Sequence, residues 1–148
     1  VNNNIMVTGD MLCLADGKRA RQLYTENRMN YHTGLVFKYL DSFGRPEGMP
    51  EWPELLPPPT VEELEAGTNA AASCVGSPEE IARTIQQFID IGADQLTFSS
   101  TVCDYEMDLI HESYELFGKE LIPAFDKDPV HSTTRQREAQ VGASYGTR

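Results

Sequence analysis

Apolar and polar positions change period twice between Ala72 and Ser100, AASCVGSPEEIARTIQQFIDIGADQLTFSS. Those changes predict a short buried strand, a turn, an amphipathic helix and a second strand. Gly76 makes the turn and Ser77 caps the helix. Glu80, three residues on, can bond back to the cap, and Pro78 takes the first helical position, where a missing N–H costs nothing. Ile81, Ile85, Phe88 and Ile89 line one face at i, i+4, i+7 and i+8, with Glu79, Arg83, Gln86 and Asp90 on the other. Gly92 falls just past the last periodic residue, where a left-handed C-cap favours glycine. From Asp94 to Ser100 the pattern alternates, Leu96 and Phe98 pointing one way, Gln95 and Thr97 the other. Together these make a βαβ unit, a right-handed crossover between parallel strands.

Before this unit, Ile5 to Ala15 reads as a strand interrupted or bulged near Gly9, and Asp16 caps a helix with Ala20, Leu23 and Tyr24 on its apolar face. Lys18, Arg19 and Arg21 give that helix a solvated face. The periodicity continues through Tyr31, Leu35 and Tyr39 but is weakened by Gly34, which predicts one broken helix or two pieces. Six of the nine prolines then gather between Ser42 and Pro59, with Gly44, Gly48 and the single tryptophan, Trp52. No regular element survives that density. The segment reads as a surface insertion tacked down by Trp52, Leu55 and Leu56, either a plain loop or an active-site lid or partner-binding arm. Thr60 and Glu63 form a second capping box on a short helix that Gly67 ends. After a loop over Thr101 to Asp104, a last helix begins near Tyr105, buries Met107, Ile110, Tyr114, Phe117 and Leu121, and stops at Pro123. From Asp126 onward the chain is polar and reads as a mobile or arm-like tail.

The stretch CVGSPEEIARTIQQFIDIGADQLTF resembles the last βαβ unit of the luciferase-like flavin monooxygenase family, which includes deazaflavin-dependent relatives. In that family a small-residue strand, a G-[ST]-P-E-E turn, an amphipathic helix and a G-[AV]-D-x-[LF] strand lead into a final helix ending F-x-x-x-[VL]-I-P. Phe117, Leu121, Ile122 and Pro123 stand in those last places, and the tail FDKDPVHSTTR is similar to the end of some members. The likeness covers the second half of the chain well and the first half loosely. It implies an α/β fold, the C-terminal part of a (β/α)8 TIM-type barrel with parallel strands and crossover helices. Residues 1–125 would be the barrel part, with its Pro-rich insertion at 42–59, and 126–148 the polar tail. It also implies an oxidoreductase that uses reduced flavin, FMN or a deazaflavin, with O2 acting on a small organic substrate in the FMN case. A complete barrel needs about 250 residues. This chain has 148 and opens on Val1, so it is expected to be the C-terminal portion of a longer enzyme.

Composition narrows the partners. Twenty-three acidic against twelve basic side chains give a formal net charge of −11, which disfavours nucleic acid as a partner. No apolar run approaches the ~20 residues of a membrane span. Cys13, Cys74 and Cys103 are odd in number and widely spaced, which fits a reduced, cytoplasmic setting and not a zinc site. A partial barrel would expose strand edges, so a homodimer, or association with the missing N-terminal portion, is expected. The rival reading is a non-enzymatic α/β fragment or assembly module that pairs with another chain.

Few side chains offer chemistry. His32, His111 and His131 share no metal-ligand spacing. Ser77 to Glu80 opens a helix, but Glu79 and Glu80 would repel an anion there. Cys74 and Cys103 are nucleophiles by residue type alone, with no histidine pairing visible. Ser99, Ser100 and Thr101 remain as the cofactor-binding candidates, because ligands of parallel α/β folds bind at the carboxyl ends of strands. Their hydroxyls could donate to a flavin, its phosphate or a substrate, or merely cap the final helix. The end of the first strand, Cys13 to Asp16, is the second choice. No catalytic residue is assigned, since much of the family's flavin contact comes from earlier strands.

Overall fold

A computed structural model describes residues 5–27, 47, 59–66, 74–100, 104–128, 130 and 132–145. Its central strand is β1, Met6–Cys13, whose second half is buried on both sides. Two further strands flank it, β2 (Cys74–Gly76) and β3 (Gln95–Ser99), in the order β2-β1-β3. All pairings are parallel: Met6 to Asp10 run beside Gln95 to Ser99, and Met11 to Cys13 beside Cys74 to Gly76. The expected bulge at Gly9 is absent, since Gly9 pairs in register with Phe98. What changes along β1 is the partner, which passes from β3 to β2 between Asp10 and Met11.

Helices cover both faces. Leu12 and Leu14 point toward α1 (Gly17–Glu26), where they pack with Val75, Ala20 and Tyr24. The short α2 (Val61–Glu65) lays Leu64 beside that cluster. Met11, Cys13 and Cys74 point the other way, onto Ile81 and Ile85 of α3 (Pro78–Asp90). Next comes α4 (Met107–Glu120), which serves both clusters, Leu109 packing on the first and Leu116 and Phe117 on the second. A one-turn helix, α5 (Ile122–Phe125), follows.

The parallel α/β expectation is met, and the barrel is not seen among the described residues. A βα barrel sets successive strands side by side with every helix outside. Here β1 separates β2 from β3, and α1 and α3 lie on opposite faces. The reason is handedness: the crossover from β1 to β2 runs one way along the sheet and that from β2 to β3 runs back, so right-handed connections put their helices on opposite sides.

Local signals fare well where they rest on caps. Asp16 accepts from the amides of Lys18 and Arg19, and Thr60–Glu63 and Ser77–Glu80 are both complete capping boxes. Gly92 has φ +93°, the amide of Ala93 donates to Phe88 O and that of Gly92 to Ile89 O, the paired bonds of a glycine-ended helix. Two expectations change. Met107 and Tyr114 are exposed at 60% and 39%, because the fully buried side of α4 is the one carrying Ile110 and Ser113, continued by the C-cap Leu121. Pro123 does not end helical structure but sits in the first turn of α5, where its missing N–H costs nothing. The polar tail carries a helix, α6 (Ser132–Tyr145). Arg135 to Gln140 are mostly good helix formers, and Arg135 pairs with Asp128. The insertion around Trp52, together with Gly34, Gly67, Cys103, His32 and His131, lies outside the described residues. No helix among the described residues is long and apolar enough to cross a membrane.

Candidate functional site

Where β1 and β2 end, two helices begin side by side, and the space between them is filled. Gly17 and Gly76 leave room for the Glu80 carboxylate, which accepts from the Ser77 amide at 2.8 Å and pairs with Arg21 Nη1 at 2.9 Å. Arg21 Nε lies 3.7 Å from Glu65 of α2, and the Arg21 side chain is 12% exposed. Burial works to raise the Glu80 pKa, but bonds from Ser77 and Arg21 together outweigh it and hold it below its ordinary value. This group is a lock between α1, α2 and α3. The helix start at Ser77 is occupied by the protein's own carboxylate, so it is closed to a ligand's phosphate.

The candidates at the end of β3 have structural partners. Ser100 is fully buried, its hydroxyl donates to the Met11 carbonyl, and its amide donates to Tyr114 Oη at 3.3 Å. Ser99 is half-buried and stands in register with Asp10. Thr101 lies outside the described residues. The second-choice segment is likewise engaged. The amide of Cys13 donates to Ser113 Oγ at 2.8 Å, Leu14 donates to Gly76 O, and Asp16 caps α1.

Two features were not anticipated. Asp10 is 2% exposed within the central strand, and Tyr24 Oη donates to its carboxylate at 2.7 Å, tying α1 to β1. A charged residue inside the apolar run MVTGDMLCLA is the signal that could have marked it. The other is a cavity of about 650 Å³ beside β3, walled by Met11, Ile85, Leu96, Phe98, Phe117 and Phe125. Phe98 and Phe117 meet edge to face with centroids 6.2 Å apart. Asp94 and Asp126 stand among its lining, which includes no cationic side chain.

Neither buried thiol is built for nucleophilic work. Burial, then the charge of Glu120, pushes the Cys13 thiol up to about 11, and burial and the neighbouring Cys13 push Cys74 higher still. At pH 8 only about one Cys13 in a thousand would be thiolate. In the Cys103→Ser chain, Ellman's reagent should therefore leave both thiols untouched in the native state and titrate both after denaturation. Rapid stoichiometric labelling at pH 8 without denaturant would contradict this.

The described residues do not fit a flavin phosphate. The starts of α1 and α3 are filled by Asp16 and Glu80, the Ser100 hydroxyl is committed, and the cavity lining is acidic. No group of three or more potential metal ligands occurs among the described residues. Compared with models of protein families, with curated proteins and with solved structures, the chain has no match.

Proposed function

We propose that this chain is the C-terminal part of a luciferase-like flavin-dependent oxidoreductase, a cytoplasmic enzyme oxidising a small organic substrate with reduced FMN and O2, or a deazaflavin relative. One observation supports the reading: the β2–α3–β3 unit carries the family's ordered signals in working positions. Ser77, Pro78 and Glu80 open the helix, Gly92 closes it at positive φ, and Phe117 and Leu121 return to the sheet beside Phe98. When bound, the flavin supplies the electron chemistry. Its phosphate seat then lies outside the described residues. Within a barrel β2 and β3 would be neighbours, so joining the remaining strands requires β3 to leave β1 and pair with β2.

The test is the intact mass of the expressed precursor, followed by FMN titration of precursor and chain. The expected precursor is longer and binds FMN stoichiometrically, while this chain alone binds it weakly or not at all. A precursor no longer than this chain, or tight stoichiometric binding by this chain alone, would refute the reading as stated.

The assembly-module reading is kept because apolar side chains stand exposed around the cavity, with Ile89 at 42% and Ile122 at 50%. It expects a colourless homodimer. A flavin spectrum in the purified precursor decides against it.

A further inference from the structure

We propose that the cavity beside β3 binds a small apolar amine, an aromatic or branched aliphatic molecule bearing one protonated nitrogen. The site is formed by residues of this chain with β3 paired to β1, so it belongs to the chain by itself and not to a completed barrel, in which β3 would leave β1. Its volume of about 650 Å³ falls within the range of small-molecule pockets. Its walls are Met11 and Leu96 from the sheet, Ile85 from α3, and the rings of Phe98, Phe117 and Phe125. The edge-to-face pair of Phe98 and Phe117 offers a surface on which a further ring can pack, and aromatic faces also favour a nearby cation.

Charge selects among apolar ligands. Asp94 and Asp126 are the only ionisable acids or bases of the lining apart from Tyr114. Asp94 already accepts the Ile5 amide at 2.9 Å. Asp126 is exposed, and among the described residues its carboxylate has no hydrogen-bond or ion-pair partner. An ammonium group seated there meets a free carboxylate while its apolar body enters the cavity. A carboxylate or phosphate ligand would face two like charges and a chain of net charge −11.

Two probes with the same ring system separate charge from shape. The full chain, isotope-labelled, is titrated with 1-naphthylmethylamine and with 1-naphthaleneacetate while amide resonances are followed. The amine should shift the amides of Leu96, Phe98, Phe117 and Phe125 saturably and bind roughly tenfold more tightly than the acetate. Asp126→Asn should weaken the amine by roughly three- to fivefold, as expected for a partly exposed ion pair. Asp104→Asn, an exposed acid outside the lining, should change nothing. Equal affinities for the two probes, saturation mapped elsewhere, no saturable shift from the amine, or an unchanged amine affinity in Asp126→Asn would each overturn the proposal.

Discussion

Replacing Ile81 with alanine is expected to lower the stability of the chain by about 2–5 kcal/mol, whereas Ile89→Ala should cost well under half as much. Both residues belong to the apolar stripe of the same helix. Ile81 is 1% exposed and packs with Met11, Cys13, Cys74, Ile85 and Leu121, so its truncation leaves a hole where two strands and two helices meet. Ile89 lies two turns later on the cavity rim, so deleting its side chain removes little from the core. Phe88 is half-buried and stands apart from the packed cluster, so Phe88→Ala belongs with Ile89→Ala and not with Ile81→Ala. Urea denaturation of the three variants tests the order. Equal midpoints would mean that the helix rests on the sheet along its whole length.

That contrast shows what sequence could and could not give. Period and caps located α3 to the residue, because Ser77, Pro78, Glu80 and Gly92 act through neighbours three or four positions away. The stripe also named the right face, but not how far the sheet extends beneath it. The length of cover depends on strand order, which is settled by pairings between distant residues such as Asp10 with Ser99. Strand order was also where the barrel expectation failed to appear, since parallel strands and crossover helices are common to barrels and open sheets. The site candidates suffered from the same gap. Hydroxyls at the end of a strand are read equally as ligands or as ties, and only the placement of Met11 shows the Ser100 hydroxyl to be a tie. The cavity was invisible because its walls come from five separate elements.

Exchanging Gly17 for alanine should destabilise the chain by about 2–4 kcal/mol, although alanine is the better helix former. A methyl group at Gly17 would strike the Glu80 carboxylate and come within 2.7 Å of the Ser77 backbone nitrogen. The carboxylate would have to leave, and with it go the 2.8 Å bond from Ser77 and the 2.9 Å pair with Arg21. Loss of a capping interaction costs about 1 kcal/mol, and overpacking against backbone that cannot retreat supplies the rest. Gly118→Ala is the control. It also places alanine in a helix, but nothing lies within 4 Å of the added methyl group, so it should stabilise by up to about 1 kcal/mol. Acidity gives a second check on the mechanism. The Glu80 carboxyl is held below its ordinary 4.5, so the stability it contributes is present above that pH and is lost as pH falls through the lowered folded value. The gap between the wild-type chain and Gly17→Ala should therefore be constant from pH 6 to 7.5 and narrow below about pH 4.5. If Gly17→Ala and Gly118→Ala move the denaturation midpoint in the same direction, Glu80 is not the lock between α1 and α3.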